Sequence, residues 1–433
     1  MLNSMLKYIV TVTEDLLITV TLVTLLYRLC GKVYGRRGII SQRIGIIAGL
    51  AATVVMAVYK NVTSLIATNR WNQYIFYFTV IFSLLFVIFS YIFAHKKAEK
   101  WHAGGMIVCV LAACVSALLI FYELPDVMAY PFNFELAGNG VLSMNFLVRL
   151  MGWILALVLM YVYARFLGKC AERIRSILWP LTVLNLGLLV NVTRCLGQIL
   201  RPWITNARWL GWPVKYVKAD YPWAFPFAKF VANNTLLFSL VIGVLGLVVA
   251  VVFFFHNTKI VDPYDNPAQL RKLRANARHN RRACVTVLAC LVIAVLNLTA
   301  VRAYAYRAPV LSEPESYTIE DDKIYISVDQ INDGHLHRFE YRTAANVAVR
   351  WIVIKKPGSG AYGVGLDACE VCGTAGYYER GSQVVCKRCD VVMNINTIGF
   401  RGGCNPIPLA YEISGGQMIF QMADILAAEK EFK

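Results

Sequence analysis

Acidic side chains are scarce in the first 307 residues, where 10 Asp and Glu stand against 31 Lys and Arg; residues 308 to 433 carry 16 against 12. The net charge of +17 therefore belongs to one half of the chain. It is not the footprint of a basic nucleic-acid-binding domain, and RNA or DNA is not expected as a partner. Histidine is also sparse. Of the six, His95, His102, His256 and His279 lie at or beyond the ends of apolar runs, so a transmembrane haem relay on paired histidines is not expected, and no C-x-x-C-H is present. Hydrolase signatures are missing as well: there is no H-E-x-x-H, no G-x-S-x-G and no phosphate loop. Nor does a positively charged leader with a cleavage site precede the first apolar run, which Glu14 and Asp15 interrupt; it reads as a segment retained in the membrane.

What the chain has in abundance is apolar residues. At 58% hydrophobic and a mean hydropathy of +0.54, the composition requires a lipid bilayer as partner. Apolar runs near 7–30, 44–59, 73–94, 103–122, 141–164, 177–200, 230–255 and 283–304 each approach the length that crosses a hydrocarbon core of about 30 Å. The count is about eight; the second run is the shortest and is open to pairing with its neighbour. Loops 31–43, 95–102, 168–176 and 256–282 hold 17 Lys and Arg, against eight on the other side. By the positive-inside rule these loops are cytoplasmic, which makes the chain N-out and C-out. The expected architecture is an α-helical membrane bundle, residues 1–307, followed by a small extracytoplasmic β-rich metal-binding domain, residues 308–433. Its expected location is the inner (cytoplasmic) membrane, multi-pass.

Polar residues inside spans are expensive and mark candidate functional sites. Glu14 and Asp15 stand about two turns into the first helix, where solvation at the outer interface competes with a role in a cavity. Arg149 is placed to snorkel outward. Asn191, Arg194 and Gln198 share one helical face deep in the sixth span, as interhelical glue or as the lining of a path. Glu14, Asp15 and Glu123 are the candidate acidic partners of Arg194. The loop from Arg201 to Lys229 is rich in Trp and Tyr, as interfacial belts are, and a short basic helix is expected after Pro267.

From Ala308 the pattern becomes short alternating runs, such as Lys323 to Val328 and Val347 to Lys355, broken by N-D-G and K-K-P-G-S-G. His335 and His337 alternate along an expected strand, on one face, as a candidate second metal or substrate site. Met393, Met418 and Met422 read as core. The centrepiece is two C-x2-C pairs, Cys369/Cys372 and Cys386/Cys389, thirteen residues apart, with Cys404 following in G-G-C-N-P. Two such turns can converge four thiolates on one metal, zinc or iron, although in an oxidising compartment disulfides compete. The other seven cysteines sit singly in apolar surroundings and read as small hydrophobes.

The runs D-G-H-L-H-R-F-E-Y, V-A-V-R-W-I-V-I-K-K, L-D-A-C-E-V-C-G, G-Y-Y-E-R, V-V-C-K-R-C-D-V-V-M-N-I-N-T-I-G-F and G-G-C-N-P-I-P-L together resemble the FtrD-like membrane proteins, described as iron-sulfur-containing and associated with bacterial iron uptake. The resemblance implies that Cys369, Cys372, Cys386, Cys389 and Cys404 supply the ligands of an iron-sulfur cluster or iron. It further implies that the chain acts with other subunits of an iron-uptake system, as an extracytoplasmic electron-transfer component. The backbone N–H groups of Gly373, Gly402 and Gly403 and burial under Tyr377 and Tyr378 would tune such a centre. The competing reading is a transporter or assembly component whose outer domain is held by structural zinc or disulfides, without redox activity. Whether the chain is itself an enzyme stays open. The first span is faintly similar to the first helix of high-affinity iron permeases, whose R-E-x-x-E supplies carboxylates for ferric iron; T-E-D-L-L here has neither the arginine nor the second glutamate, which argues against conduction along this helix.

Overall fold

The computed structural model describes residues 2–62, 68–94, 102–129, 144–174, 176–204, 208–209, 212–213, 222–259, 263–307, 310–370, 372–380, 383–388, 391–402 and 405–433. The chain divides into two compact units, one of Met1–Asn133 and Val141–Tyr306, the other containing Arg307–Lys433.

In the first unit, helices α1 (Leu2–Val62), α2 (Thr68–Ala94), α3 (His102–Ala129), α4 (Met144–Arg173) and α5 (Leu178–Ile204) precede a short hairpin of β1 (Arg208–Trp209) and β2 (Trp212–Pro213). Then come α6 (Ala224–Asn233), α7 (Thr235–Asn257), α8 (Pro267–Leu296), a π-turn at Asn297–Val301 and α9 (Arg302–Ala305). Among the described residues seven helices are long and apolar enough to cross a membrane, the first covering Met5–Tyr59. That first helix is really two. Gly35 takes φ 58 and ψ −136, a region closed to residues with a Cβ, and the chain folds back on itself there. Arg43 Nε consequently donates to Tyr27 Oη at 3.4 Å, although a straight helix would hold residues sixteen apart about 24 Å from each other. The seven helices thus contain the eight apolar runs of the sequence, and the chain is a multi-pass membrane protein.

The basic helix expected after Pro267 is not separate: α8 starts there, capped by Asn266 Oδ1 accepting from Gln269 N at 2.8 Å, and runs straight into the last apolar run. Most of the aromatic loop, 205–207, 210–211 and 214–221, lies outside the described residues.

The second unit is built from three antiparallel sheets. β3 (Thr318–Glu320), β4 (Lys323–Ser327), β11 (Glu412–Ser414) and β12 (Gln417–Gln421) form one in the order β11-β12-β4-β3. β5 (His337–Arg342), β6 (Ala348–Lys355) and β7 (Tyr362–Leu366) form the second in that order; β8 (Tyr377–Arg380), β9 (Gln383–Cys386) and β10 (Val392–Met393) form the third, ordered β10-β9-β8. A helix, α10 (Met422–Ala427), closes the domain. The strand period of two explains why the β5-β6-β7 sheet lies in the middle. Along β6, Val349, Trp351 and Val353 enter one core with Ile324, Phe339, Met418 and Phe420, whereas Ile352 and Ile354 enter another with Tyr377, Val384 and Cys386. Both faces are buried, so the strand reads as a nearly continuous apolar run. Trp351 and Phe339, opposite each other in the register, stack at 5.8 Å in the first core. Met418 and Met422 fill that core and Met393 the second, as expected of core residues.

Candidate metal centre

The first cysteine pair sits in a tight turn between β7 and β8. Cys369 N donates to Gly373 O at 3.1 Å and Gly373 N to Cys369 O at 2.9 Å, which closes the chain into a loop over the pair. Gly373, at φ +65, is the residue that lets the turn close. Inside it Cys372 N donates to Cys369 Sγ at 3.1 Å. An N–H aimed at a sulfur favours the thiolate and fixes the direction in which it can bind a metal. The Gly373 N–H, expected to face a sulfur, is committed to a carbonyl instead, and the Cys372 N–H takes that role.

The second pair starts at the end of β9. Cys386 lies opposite Tyr377 in the ladder, and its N–H donates to Val391 O at 3.0 Å. Arg388, between the two cysteines of this pair, donates from Nη1 to Cys372 O at 3.1 Å. That contact joins the two C-x2-C turns. Cys369, Cys372 and Cys386 are 3%, 6% and 1% exposed and share the core of Tyr377, Val384, Met393 and Ile398. Cys389, Cys404 and Gly403 lie outside the described residues, and among the described ones no three His, Cys, Asp or Glu side chains enclose a metal position. The segment leading out of Cys404 is nevertheless held beside the first turn: Leu366 N donates to Ile407 O at 2.7 Å and Ile407 N to Ala368 O at 3.0 Å, one residue before Cys369. Gly365 makes this approach feasible, since a Cβ there would stand 2.7 Å from Pro406 Cβ. A soft, buried, N–H-supported thiolate set fits iron, an iron-sulfur cluster or zinc.

A buried ionic network holds these pieces in register, and nothing in the cysteine motif itself announces it. Asp367 is fully buried; its carboxylate accepts from Arg338 Nε at 3.0 Å and Tyr377 N at 2.7 Å and lies 3.3 Å from Arg350 Nε. Arg338, 1% exposed, also donates to Ser312 O at 2.8 Å and Ser312 Oγ at 2.6 Å, and its remaining Nη group reaches Tyr377 O. Arg350 Nη2 donates to Thr374 O at 2.8 Å, one residue past the cysteine turn. Burial pushes the Asp367 carboxyl above its usual range, against the pull of Arg338. The network links β5, β6, the end of β7 and the start of β8, that is, every element that frames residues 367–377. A sequence signal is present: Arg350 interrupts the apolar run of β6, and an acid stands two residues before the first cysteine.

The histidine pair is not brought together. His335 precedes β5, is exposed, and pairs through Nδ1 with Glu379 Oε1 at 2.9 Å, which raises its pKa above 6.5. His337 is 6% exposed and sits between Glu315 Oε1, at 2.9 Å from Nδ1, and Asp333 Oδ1, at 2.8 Å from Nε2. Both of its ring nitrogens face carboxylates. Asp333 is held below the usual carboxylate range, first by the backbone N–H of His335 and then by His337.

In the membrane unit Arg194 finds its acid in Glu123, Nη1 to Oε1 at 3.0 Å, with Nε donating to Asn191 Oδ1 at 3.1 Å and Tyr122 under the guanidinium at 5.3 Å. Glu123 was one of three candidates. Glu14 turns instead to the far side of α1, where it pairs with Arg302 and accepts from Thr235 Oγ1 at 3.3 Å. Asp15 adds negative potential at Tyr122 and Glu123. Adjacent acids on one helix thus serve two separate polar clusters.

No curated protein and no solved structure matches the chain. Residues 331–432 match the family model described as FtrD-like, membrane iron-sulfur containing protein, a match that takes in the central and third sheets, the Asp367 network and all five tail cysteines.

Proposed function

We propose that this chain is an inner-membrane protein whose second unit binds an iron-sulfur cluster or iron through its tail cysteines. In that role it passes electrons on the extracytoplasmic side, within an iron-uptake system. Cys369, Cys372 and Cys386 would be ligands, completed from Cys389 and Cys404. The observation that carries the reading is the Arg388 contact to Cys372 O, 3.1 Å long, which ties the two C-x2-C turns together around three buried cysteines.

When bound, the centre supplies one-electron transfer. The chain's own residues do the rest. Cys372 N–H stabilises negative charge on the Cys369 sulfur, and Tyr377, Val384 and Ile398 keep water from the ligands. The Arg388 guanidinium adds positive charge beside the first turn. Asp367, through Arg338 and Arg350, fixes the turn that carries Cys369 and Cys372. Eight crossings would return the chain to the side on which it starts, and the excess of Lys and Arg in loops 31–43, 95–102, 168–176 and 256–282 supports reading that side as extracytoplasmic.

Full-length protein purified anaerobically should be coloured, bleach with dithionite, and contain iron, together with acid-labile sulfide if the centre is a cluster. A colourless preparation with one zinc per chain would eliminate the redox reading in favour of a structural site. For sidedness, a reporter at Ser382 should be labelled from outside spheroplasts; labelling only after permeabilisation defeats the extracytoplasmic assignment.

A further inference from the structure

Near the end of the membrane unit where Gly35 turns the chain, a crevice of about 310 Å³ opens between the two arms of α1 and helix α4. Val23 and Ile46 line its apolar side, and Tyr27, Arg28, Tyr161 and Arg165 its polar side. Arg28 stands seven residues before Gly35 and Arg165 eight before the end of α4, so both lie about 10–12 Å inside the helix ends.

An arginine at that depth needs a counter-ion or a route to water. Arg28 has part of one: Nη1 meets Glu172 Oε2 at 2.7 Å, and its guanidinium lies over the Tyr27 ring at 5.6 Å. Helix α4 is notched to admit it, since a Cβ at Gly168 would stand 2.9 Å from Arg28 Nε. Arg165 has no ion-pair or hydrogen-bond partner among the described residues. It is exposed on the same face as Tyr161, one turn earlier, which is 65% exposed. Two guanidiniums against one carboxylate leave the crevice positive, beside an apolar wall and two phenols.

We propose that this crevice binds one anionic phospholipid, with the lipid phosphate on Arg165 and Arg28 and an acyl chain along Val23 and Ile46. Guanidiniums suit a phosphate because their planar N–H fork meets two oxygens at once. Basic pockets between helices on the cytoplasmic side are where anionic headgroups collect, and the loops flanking this end, 31–43 and 168–176, are among the basic ones. The volume accommodates a phosphate, glycerol and the start of one acyl chain but not two chains, so the second tail must lie on the outer helix surface. Free inorganic phosphate offers the same anionic oxygens without the tails.

Native mass spectrometry of the full chain, released from detergent with equal mole fractions of phosphatidylglycerol and phosphatidylcholine, tests this. Wild type should retain phosphatidylglycerol about tenfold better. Arg165→Gln, a change at an exposed position that leaves the packing intact, should lower that retention at least fivefold, and Arg28→Gln with Arg165→Gln should bring it to the phosphatidylcholine level. Equal retention of the two lipids by wild type, or undiminished phosphatidylglycerol on Arg165→Gln, overturns the proposal. Displacement of phosphatidylglycerol from wild type by millimolar inorganic phosphate overturns it too, because the site would then be one for the free anion. Since two of these arms use only the unmutated protein, poor folding of the double variant does not shield the idea.

Discussion

Replacing Asp367 by Ala would leave the Arg338 guanidinium, 1% exposed, with only neutral acceptors in Ser312 and Tyr377. Removing one member of a buried ion pair costs about 3–5 kcal/mol, because the partner charge stays desolvated. The Tyr377 N–H also loses its 2.7 Å acceptor, a further penalty of about 1 kcal/mol or more. Arg338→Met should cost a similar amount by stranding Asp367, softened by Arg350 at 3.3 Å. The double variant, with neither charge left, should be less damaging than the two single losses added together, by roughly 1–3 kcal/mol.

The loss concerns the loop 367–377 and its frame, so the assay must be local. Hydrogen-exchange mass spectrometry on the full chain, following peptides across 362–388, reads the opening free energy of that region. A cost of about 3–5 kcal/mol corresponds to exchange faster by roughly two to nearly four orders of magnitude at the amides of Asp367, Cys372 and Tyr377. Peptides from α4 and α7 should not change. Exchange accelerated by less than about tenfold in Asp367→Ala, or single-variant effects that simply add in the double variant, would falsify the view that this pair braces the cysteine turn. Iron retention supplies a second reading: loss of metal in the single variants with partial recovery in the double variant is expected, since what the turn needs is the absence of an unpaired charge.

The remaining predictions concern single contacts. Gly373→Ala meets nothing within 4 Å and should cost only the left-handed backbone, about 1–2 kcal/mol, whereas Gly365→Ala drives a Cβ to 2.9 Å from Ile407 O and should also separate the segment that carries Cys404. Exchange at Ile407 N–H distinguishes the two, and equal behaviour there counts against the close-approach argument. His335, its pKa raised by the hydrogen bond to Glu379, stabilises the fold fully below its unfolded pKa of 6.5 and loses that contribution as pH rises through the higher folded value. An NMR titration should therefore give a midpoint above 6.5, shifted downward in Glu379→Gln; a midpoint at or below 6.5 refutes the pairing. In the membrane unit Glu123→Ala strands Arg194 and should cost on the order of 3 kcal/mol in mixed-micelle unfolding, with Glu123→Ala plus Arg194→Met recovering part of it.

How far the sequence goes is set by how local each signal is. Span positions, strand positions such as Lys323–Ser327 and the cysteine turn at Cys369–Gly373 depend on hydropathy, period and short spacing, and all are legible. The reversal within α1 was legible only as two runs, because a single glycine with φ 58 does what a loop usually does. The Arg194 partner could be narrowed to three acids but not chosen, since whether α3 or α1 presents its acid to α5 is decided by packing. The Asp367 network was missed for the same reason: its members come from strands β5 and β6 and a turn, 29 residues separating Arg338 from Asp367. The histidine pair shows the converse. Two positions of apparent strand period were expected to share a face, but β5 begins only at His337, and the carboxylates Asp333, Glu315 and Glu379 take the rings in different directions. Spacing therefore picks out the cysteine-bearing turns here, while the residues that brace them come from elements far apart in the chain. A cysteine motif thus names the candidate donors, and it is the buried charge at Asp367, Arg338 and Arg350 that fixes where the first two of them can point.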